Sequence, residues 1–270
     1  MKYPGAKNRI ARWICGHIPE HDVYLEPFAG SLAVLFEKER SHIETVNDLN
    51  GEIVNFFRVI RDASKELEKK IEMTPYSREE YENAYLYSDD EIERARRFCV
   101  RCWMGFGCSN RYKNGFKSGQ QARSPNPAEA WGMLSQVITL AAERLKGVQI
   151  EQLFALELLK RYDTSDVFAY LDPPYLHDTR KNYLYSNEMS DREHEELLTV
   201  IVNHKGKIMI SGYDNDMYNN YLKGWRKAYR NTVAENGIKR SEVLWMNYQT
   251  RQMHIRDYMD LMEDNKEVIC

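Results

Sequence analysis

The strongest constraint on the fold is an alternation of strand-like and helix-like stretches at the start of the sequence. "DVYLEPFAGS" is an apolar run of strand length that ends in Pro and Gly, and "LAVLFEKE" after it has helical spacing. A second strand, "IETVND", precedes a long helical stretch that begins at Asn50. This order of strand, helix, strand and helix predicts a parallel sheet.

The alternation stops in the middle of the chain and then resumes. Residues 74–144 have helical patterns around a loop rich in Gly, Asn and Ser, whereas strand patterns return after Gly147. We therefore predict an α/β protein whose sheet domain is built from residues 1–73 and 145–270. An inserted, helical second domain occupies residues 74–144. A chain of 270 residues is long enough for this arrangement.

Composition bears on the compartment and on the class of protein. With 29% charged and 43% hydrophobic residues, the chain has the make-up of an ordinary globular protein. It has no apolar run of membrane-spanning length, its first residues do not resemble a signal peptide, and its five cysteines are an odd number for a disulfide framework. We expect a cytoplasmic protein with reduced thiols and no membrane partner.

One segment is strongly basic, although the whole chain has a net charge of −3. From Arg94 to Arg123 there are eight Lys or Arg residues and no Asp or Glu, with aromatic residues between them. This pattern is typical of a surface that binds nucleic acid. The alternative is a solvated basic helix followed by a polar loop.

The turn after the first strand is a candidate nucleoside site. Gly30 ends the strand and opens a helix, where backbone can approach a ligand and helix N–H groups face it. Asp48 follows 18 residues later, close to the spacing at which an acidic side chain binds ribose hydroxyls. A single loop glycine favours a mononucleoside over a dinucleotide. The alternative is a plain turn at Gly30 with Asp48 capping the following helix.

A second candidate site follows the apolar run "VFAYL", which ends in Asp172, Pro173, Pro174 and Tyr175. Ligands bind beyond the carboxyl ends of strands in open α/β sheets. The prolines lack N–H groups, so the Asp172 carboxylate and the Pro173 carbonyl are free to accept hydrogen bonds from an amino group. Tyr175 offers a face on which an aromatic ring can stack. This set suits a planar heteroaromatic amine; a simple Pro-Pro strand terminator is the alternative.

Four motifs, "KYPGAK", "EPFAGS", "VNDLN" and "DPPY", occur in an order that resembles the Dam-like adenine-specific DNA methyltransferases, the D12 class or alpha group. The resemblance covers nearly the whole chain and is weakest between about residues 75 and 145. It implies a Rossmann-like S-adenosylmethionine-dependent methyltransferase sheet, with the insertion as a target-recognition domain. The implied reaction moves a methyl group from S-adenosylmethionine to the 6-amino group of a flipped-out adenine in duplex DNA.

The resemblance also implies roles for individual residues. The catalytic set is Asp172, Pro173, Pro174 and Tyr175. The cofactor-binding set is Tyr3, Gly5, Lys7, Glu26, Phe28, Gly30, Ser31, Asp48 and Asp172. Within it, Lys7 is the implied partner of the methionine carboxylate, and Asp48 binds the ribose. The candidate DNA contacts in the insertion are Arg111, Lys113, Asn114, Lys117, Gln120 and Arg123.

Two positions depart from the pattern of this family. Phe154 stands where an acidic residue usually contacts the cofactor adenine, so either Glu151 or Glu157 takes that role or the contact is absent. Leu32 stands where many relatives have a second glycine in the turn. Both departures concern cofactor binding, and neither involves the catalytic set.

Other substrates and partners stay open at this point. The same acceptor turn suits a cytosine amine, an RNA base or a glutamine amide, and a non-catalytic DNA-binding relative is an alternative from another class. Cys99 and Cys102 form a C-x-x-C without a second ligand pair, so we expect no metal. We expect a monomer, with a dimer as the alternative. The protein would be nucleoid-associated or phage-encoded, with a cognate restriction endonuclease as a possible partner.

Overall fold

The computed structural model describes residues 5–106, 113–119, 124–176, 187–233 and 239–249. Within these residues, seven strands form one sheet in the order β3-β2-β1-β4-β5-β7-β6. The strands are β1 Val23–Glu26, β2 Ile43–Asn47, β3 Gln149–Glu151, β4 Val167–Leu171, β5 Lys207–Tyr213, β6 Arg226–Val233 and β7 Lys239–Met246. Strands β1 to β5 are parallel, whereas β7 pairs antiparallel with β5 and β6. The predicted parallel sheet is confirmed.

Helices cover both faces of the sheet. They are α1 Ala11–Cys15, α2 Ala33–Glu37, α3 Gly51–Asp62, α4 Ser64–Glu72, α5 Arg78–Asn83, α6 Glu91–Met104, α7 Pro127–Gly132, α8 Leu134–Leu145, α9 Ala155–Arg161, α10 Asp191–Val202 and α11 Asp216–Tyr221. On β4, Phe168 and Tyr170 pack in the hydrophobic cluster with α1 to α8, and Ala169 packs in the cluster with α9 to α11. A strand buried on both faces is apolar throughout, which explains "VFAYL". None of these helices is long and apolar enough to cross a membrane.

The inserted helices share a core with the rest of the protein in the described part of the chain. Tyr81 of α5, Phe98 of α6 and Ile138 of α8 belong to the same hydrophobic cluster as Phe56 of α3. The ring centroids of Phe56 and Phe98 lie 4.9 Å apart. The boundaries predicted at residues 74 and 144 therefore separate chain segments that pack together. A role of the insertion in target recognition stays a prediction.

Polar side chains at helix starts explain where three of the helices begin. Asn50 precedes α3, Asp90 precedes α6, and Ser190 precedes α10. Each of these side chains accepts a hydrogen bond from an N–H group in the first turn of its helix. Such N-caps satisfy donors that the helix itself leaves without a partner. Asn50, the N-cap of α3, also lines a cleft at the carboxyl edge of the sheet.

Candidate active site

A cleft of about 350 Å³ opens where β1, β2 and β4 end. The pair β1 and β4 is the point where the strand order reverses, which is where open α/β sheets bind ligands. The predicted residues that line the cleft are Gly5, Lys7, Glu26, Phe28, Gly30, Ser31, Asp48, Asp172 and Pro174. The glycine turn and the Asp-Pro-Pro-Tyr turn thus meet in one cleft. Pro173 and Tyr175 lie next to it in sequence, and Tyr3 is outside the described residues.

A left-handed backbone and one aspartate hold the glycine turn in shape. Gly30 has a φ of +46°, which glycine adopts without strain. Its N–H donates to Asp48 Oδ2 at 2.9 Å, and the Asn50 N–H donates to Oδ1 at 2.9 Å. Burial raises the pKa of Asp48 to about 6, although these hydrogen bonds act to lower it. Asn50 is the N-cap of α3, so Asp48 does not cap that helix. Its contact with a ribose stays a prediction.

Leu32, which stands in place of a second glycine, has a left-handed backbone. Its φ is +54°, in the left-handed region that favours glycine. For a residue with a Cβ atom this conformation costs roughly 1–2 kcal/mol. The Leu32 side chain is fully buried in the hydrophobic cluster, and burial of a leucine offsets a cost of that size. Packing of the Leu32 side chain therefore stabilises a left-handed backbone at this position of the turn.

Asn47, which the sequence analysis did not single out, joins three segments at the floor of the cleft. Its Nδ2 donates to the carbonyls of Pro27 at 2.9 Å and Leu153 at 3.0 Å. Its Oδ1 accepts from the Leu153 N–H at 2.8 Å, and its own carbonyl accepts from the Ala29 N–H at 2.8 Å. One buried amide therefore fixes the loops that follow β1 and β3 relative to β2.

Glu26 places a buried carboxyl group at the cleft end of β1. It is 2% exposed, and the Tyr24 hydroxyl donates to its Oε2 at 2.7 Å. Burial raises the pKa of Glu26 to about 8; the Tyr24 hydrogen bond lowers it, and the nearby Asp172 raises it. A carboxyl group of this kind ionises when a cation comes close. It therefore fits a ligand that carries a positive charge.

Asp172 has its protein contacts on one of its two oxygens. Lys7 Nζ lies 2.9 Å from Oδ1, and the Ser211 hydroxyl donates to the same atom at 2.8 Å. Within the residues that the structure describes, Oδ2 has no hydrogen-bond partner. This arrangement leaves Oδ2 to accept a hydrogen bond from a ligand. Lys7 neutralises Asp172 here, and its predicted contact with a methionine carboxylate stays a prediction.

Contacts on several sides hold the ring of Tyr175. Its hydroxyl donates to Glu242 Oε2 at 2.7 Å, and Tyr213 packs against it edge-on with ring centroids 4.8 Å apart. Lys7 Nζ lies 4.6 Å from the centroid of the Tyr175 ring. Burial raises the pKa of Tyr175 well above its usual value, and the carboxylate of Glu242 raises it further. Tyr175 therefore remains protonated and acts as the donor to Glu242.

Phe154 lines the cleft at the start of α9 with 66% of its surface exposed. Neither Glu151 nor Glu157, the two acidic alternatives for a contact with the cofactor adenine, is among the residues that line the cleft. Glu157 forms an ion pair with Arg161 on the same helix instead. At this position the cleft presents an aromatic ring, which can pack against another flat ring.

The basic segment has two parts with different surroundings. On α6, Arg96 pairs with Glu80 at 2.7 Å and with Glu93 at 2.7 Å, and Arg101 pairs with Glu52 at 2.6 Å. These carboxylates lie outside the segment, so the lack of Asp and Glu within it did not leave these arginines unpaired. The arginines of α6 therefore bind carboxylates of α3, α5 and α6 itself, and a nucleic-acid surface on this segment stays a prediction.

The second part of the segment lies in the loop that follows α6. Lys113 is exposed, pairs with Glu82, and has its Nζ 5.3 Å from the ring centroid of Tyr85. Lys117 is half-buried, and Asn114 accepts a hydrogen bond from Tyr81 through its carbonyl. The other three candidate DNA contacts, Arg111, Gln120 and Arg123, lie outside the described residues.

The family model described as D12 class N6 adenine-specific DNA methyltransferase matches residues 3–241. The chain belongs to this family. It is therefore an enzyme of the class that methylates the 6-amino group of adenine in DNA, and the Rossmann-like fold and the family predicted from the sequence are confirmed. Comparison with curated proteins gave no match.

Similarity to solved structures is weak for this methyltransferase. The precorrin 8W decarboxylase of Methanobacterium thermoautotrophicum is 10% identical, with a TM-score of 0.38 over 89% of this chain and 90% of that one. The yhhF protein of Escherichia coli, a proposed methyltransferase, is 12% identical, with a TM-score of 0.38 over 90% and 84% of the two chains. Similarities at this level carry no conclusion about substrate.

Two further residues of the site were missed by the sequence analysis. Ser211 lies within β5 and donates a hydrogen bond to Asp172, and Glu242 accepts the hydrogen bond from Tyr175. Both are polar positions within otherwise apolar strands, in "KIMISGY" and "SEVLWM". A polar residue inside a buried strand needs a partner. That signal could have marked both positions, but it could not have named the partners.

Proposed function

We propose that this enzyme transfers the methyl group of S-adenosylmethionine to the 6-amino group of an adenine that is flipped out of duplex DNA. The observation that carries the proposal is that Asp172 lies in one cleft with Gly30 and Glu26. A methyl donor on the glycine turn and an amine held by Asp172 would lie side by side there. Such proximity is the main requirement of a one-step transfer between two bound molecules.

The donor side of the cleft has the chemistry that S-adenosylmethionine requires. The cofactor supplies a methyl group on a positively charged sulfur, and the buried carboxyl group of Glu26 suits a nearby positive charge. Phe28 and Phe154 offer apolar surface for the adenosine. In this proposal Asp48 holds the ribose and Lys7 holds the methionine carboxylate.

The acceptor side has to activate a poor nucleophile. The lone pair of the adenine amine is delocalised into the ring, so it attacks weakly unless its hydrogens are held. In this proposal Asp172 Oδ2 and the Pro173 carbonyl accept those two hydrogens and direct the lone pair of the nitrogen toward the methyl group. In this proposal the C–N bond would form as the bond between the methyl carbon and the sulfur breaks, so that the cofactor would leave as a neutral thioether and the nitrogen would gain the positive charge. The Asp172 carboxylate would stabilise that charge until the nitrogen loses a proton to solvent.

Duplex DNA conceals the amine, so the base has to leave the helix. In this proposal the flipped adenine stacks on Tyr175, which offsets part of the stacking that it loses with its neighbours. Recognition of the duplex is assigned to the insertion, through Lys113, Asn114 and Lys117 together with Arg111, Gln120 and Arg123. We further propose a monomer as the working form; a cognate restriction endonuclease is a proposal of the same kind.

The test is methyl transfer from radiolabelled S-adenosylmethionine to duplex DNA, single-stranded DNA and RNA, followed by nucleoside analysis. We expect label in duplex DNA as 6-methyladenine. Label on cytosine or on RNA would contradict the proposed substrate and keep the acceptor chemistry. An absence of label on every nucleic acid, from a protein that binds S-adenosylmethionine, would contradict the proposed reaction as a whole.

A further inference from the structure

We propose that Glu242 is a positioning residue that fixes the ring of Tyr175 for stacking against the target base. This inference rests on the function proposed above, in which Tyr175 receives the flipped adenine. Glu242 lies on β7, is 7% exposed, and accepts the hydrogen bond of the Tyr175 hydroxyl at 2.7 Å. It acts through Tyr175 and makes no contact with the reacting atoms.

The ring of a tyrosine needs an external contact to define its plane. Rotation about the bond between Cβ and the ring is a broad, shallow torsion, so side-chain geometry alone does not fix the ring. Tyr175 follows two prolines in a loop and is not itself part of a strand. Its orientation therefore depends on the side chains that pack against it and on the partner of its hydroxyl.

One strand pair supplies two of these contacts. In the antiparallel register of β5 and β7, Tyr213 lies directly opposite Glu242. Residues that are directly opposite share one face of the sheet, so both side chains reach Tyr175 from the same side. Tyr213 meets the ring edge-on at an interplanar angle of 76°, and Glu242 holds the hydroxyl. The antiparallel strands β5 and β7 thus support the turn that contains Asp172 and Tyr175.

A carboxylate is a suitable acceptor at this position. Hydrogen bonds from a hydroxyl to a carboxylate are shorter and stronger than those to a neutral acceptor. Burial raises the pKa of Glu242, whereas Lys7 and the Tyr175 hydroxyl lower it. Lys7, which pairs with Asp172 at 2.9 Å, also lies beside the Tyr175 ring, so its positive charge acts on both carboxyl groups.

The experiment is a double-mutant cycle. Tyr175→Phe removes the hydroxyl and keeps the ring, Glu242→Ala removes the acceptor, and Glu242→Gln retains an oxygen that can accept. Turnover is measured with radiolabelled S-adenosylmethionine on genomic DNA that lacks adenine methylation. Loss of one such hydrogen bond predicts a kcat about tenfold lower for Tyr175→Phe and for Glu242→Ala. Asp214→Ala, at an exposed position next to Tyr213, serves as the control and should match wild type.

The proposal requires that the double variant be no slower than either single variant, because both remove the same interaction. It also requires Glu242→Gln to restore most of the lost kcat, with the affinity for S-adenosylmethionine unchanged in calorimetry. Losses that multiply in the double variant, or a Gln variant as slow as the Ala variant, would overturn it.

Crystal structures of the variants separate this proposal from the proposed function. A Tyr175 ring displaced in Glu242→Ala and retained in Glu242→Gln supports the positioning role even if wild type transfers no methyl group to DNA. A ring that stays in place in Glu242→Ala overturns the positioning role, whatever the substrate of the enzyme proves to be.

Discussion

The cleft and the insertion use carboxylates in opposite ways. In the cleft, burial raises the pKa of Glu26 to about 8 and that of Asp48 to about 6. In the insertion, the Arg96 guanidinium lowers the pKa of Glu93 to about 2, and Arg97 acts in the same direction. The cleft therefore keeps carboxyl groups that can respond to a ligand, whereas α6 commits its charges to ion pairs within the protein. The presence of acidic residues in a sequence therefore does not show whether their carboxyl groups can respond to a ligand or are held in ion pairs.

The largest expected effect is a difference in kcat between substitutions of two aspartates, one at each end of β4. Asp172 follows the carboxyl end of β4 in the cleft, and Asp166 precedes its amino end at an exposed position. Removal of a group that stabilises charge in a transition state typically lowers kcat by about 10²- to 10³-fold, which is the expectation for Asp172→Ala. Asp166→Ala should match wild type in the same methyl-transfer assay. An Asp172→Ala variant with more than a tenth of the wild-type kcat would contradict the assigned role.

The next effect tests whether the insertion has any charge available for DNA. The double variant Lys113→Glu, Lys117→Glu should bind DNA on the order of 10²-fold more weakly at low salt. The slope of the logarithm of the binding constant against the logarithm of the salt concentration should become shallower by up to about 2. The control is Lys146→Glu, at the far end of α8, where the lysine pairs with Glu143. Fluorescence anisotropy with a labelled duplex at several salt concentrations measures both quantities. Equal slopes for wild type and the double variant would place the DNA surface elsewhere.

Substitutions of one glycine in the cleft and one in the insertion test how backbone strain affects the affinity for S-adenosylmethionine. Gly30→Ala introduces a Cβ atom at a φ of +46°, which costs roughly 1–2 kcal/mol. The turn should shift to relieve this strain, and the affinity for S-adenosylmethionine in calorimetry should fall by about tenfold. Gly132→Ala in the last turn of α7 meets no neighbouring atom and should leave the affinity unchanged. Equal affinities for the two variants would contradict a role of the Gly30 turn in cofactor binding.

The smallest effect concerns the ion pairs of α6. Arg96→Ala removes contacts with Glu80 and Glu93 that are partly buried, and the free energy of unfolding should fall by about 1–2 kcal/mol. Arg192→Ala breaks an exposed pair on α10, so its effect should stay below about 0.5 kcal/mol. Urea unfolding measures both. The kcat of the folded Arg96→Ala protein should equal that of wild type.

The same variant should also respond differently to acid. The pKa of Glu93 is lowered from 4.5 to about 2 in the folded protein, chiefly by Arg96. The pair therefore stabilises the protein fully above about pH 4.5, and that contribution is lost as the pH falls toward about 2. Arg96→Ala should lose less stability than wild type over this interval. A parallel decline of the two proteins would show that the ion pair does not stabilise the folded state.

Local sequence patterns were sufficient for the sheet and for most of the cleft. A strand that is apolar throughout, such as "VFAYL", has to be covered on both faces, and parallel strands bring their carboxyl ends to one edge. Gly30, Asp48 and Asp172 each follow a strand in the sequence, so their convergence followed from the parallel order of β1, β2 and β4. The partners of the site residues were not predictable in the same way, because many of them lie far away in the sequence. Lys7, for example, pairs with Asp172, and Tyr175 and Glu242 are 67 residues apart.

The sequence by itself determined the fold class and the family, because these depend on periodicity and on short motifs that are read locally. Tertiary structure alone decided which charges are available. It paired Arg96 with Glu80 and Arg101 with Glu52, set Lys7 against Asp172, and placed Glu242 behind Tyr175. The reason is physical: the energy of a charge depends on its burial and on neighbours within a few ångströms, and the fold brings those neighbours together from distant parts of the chain.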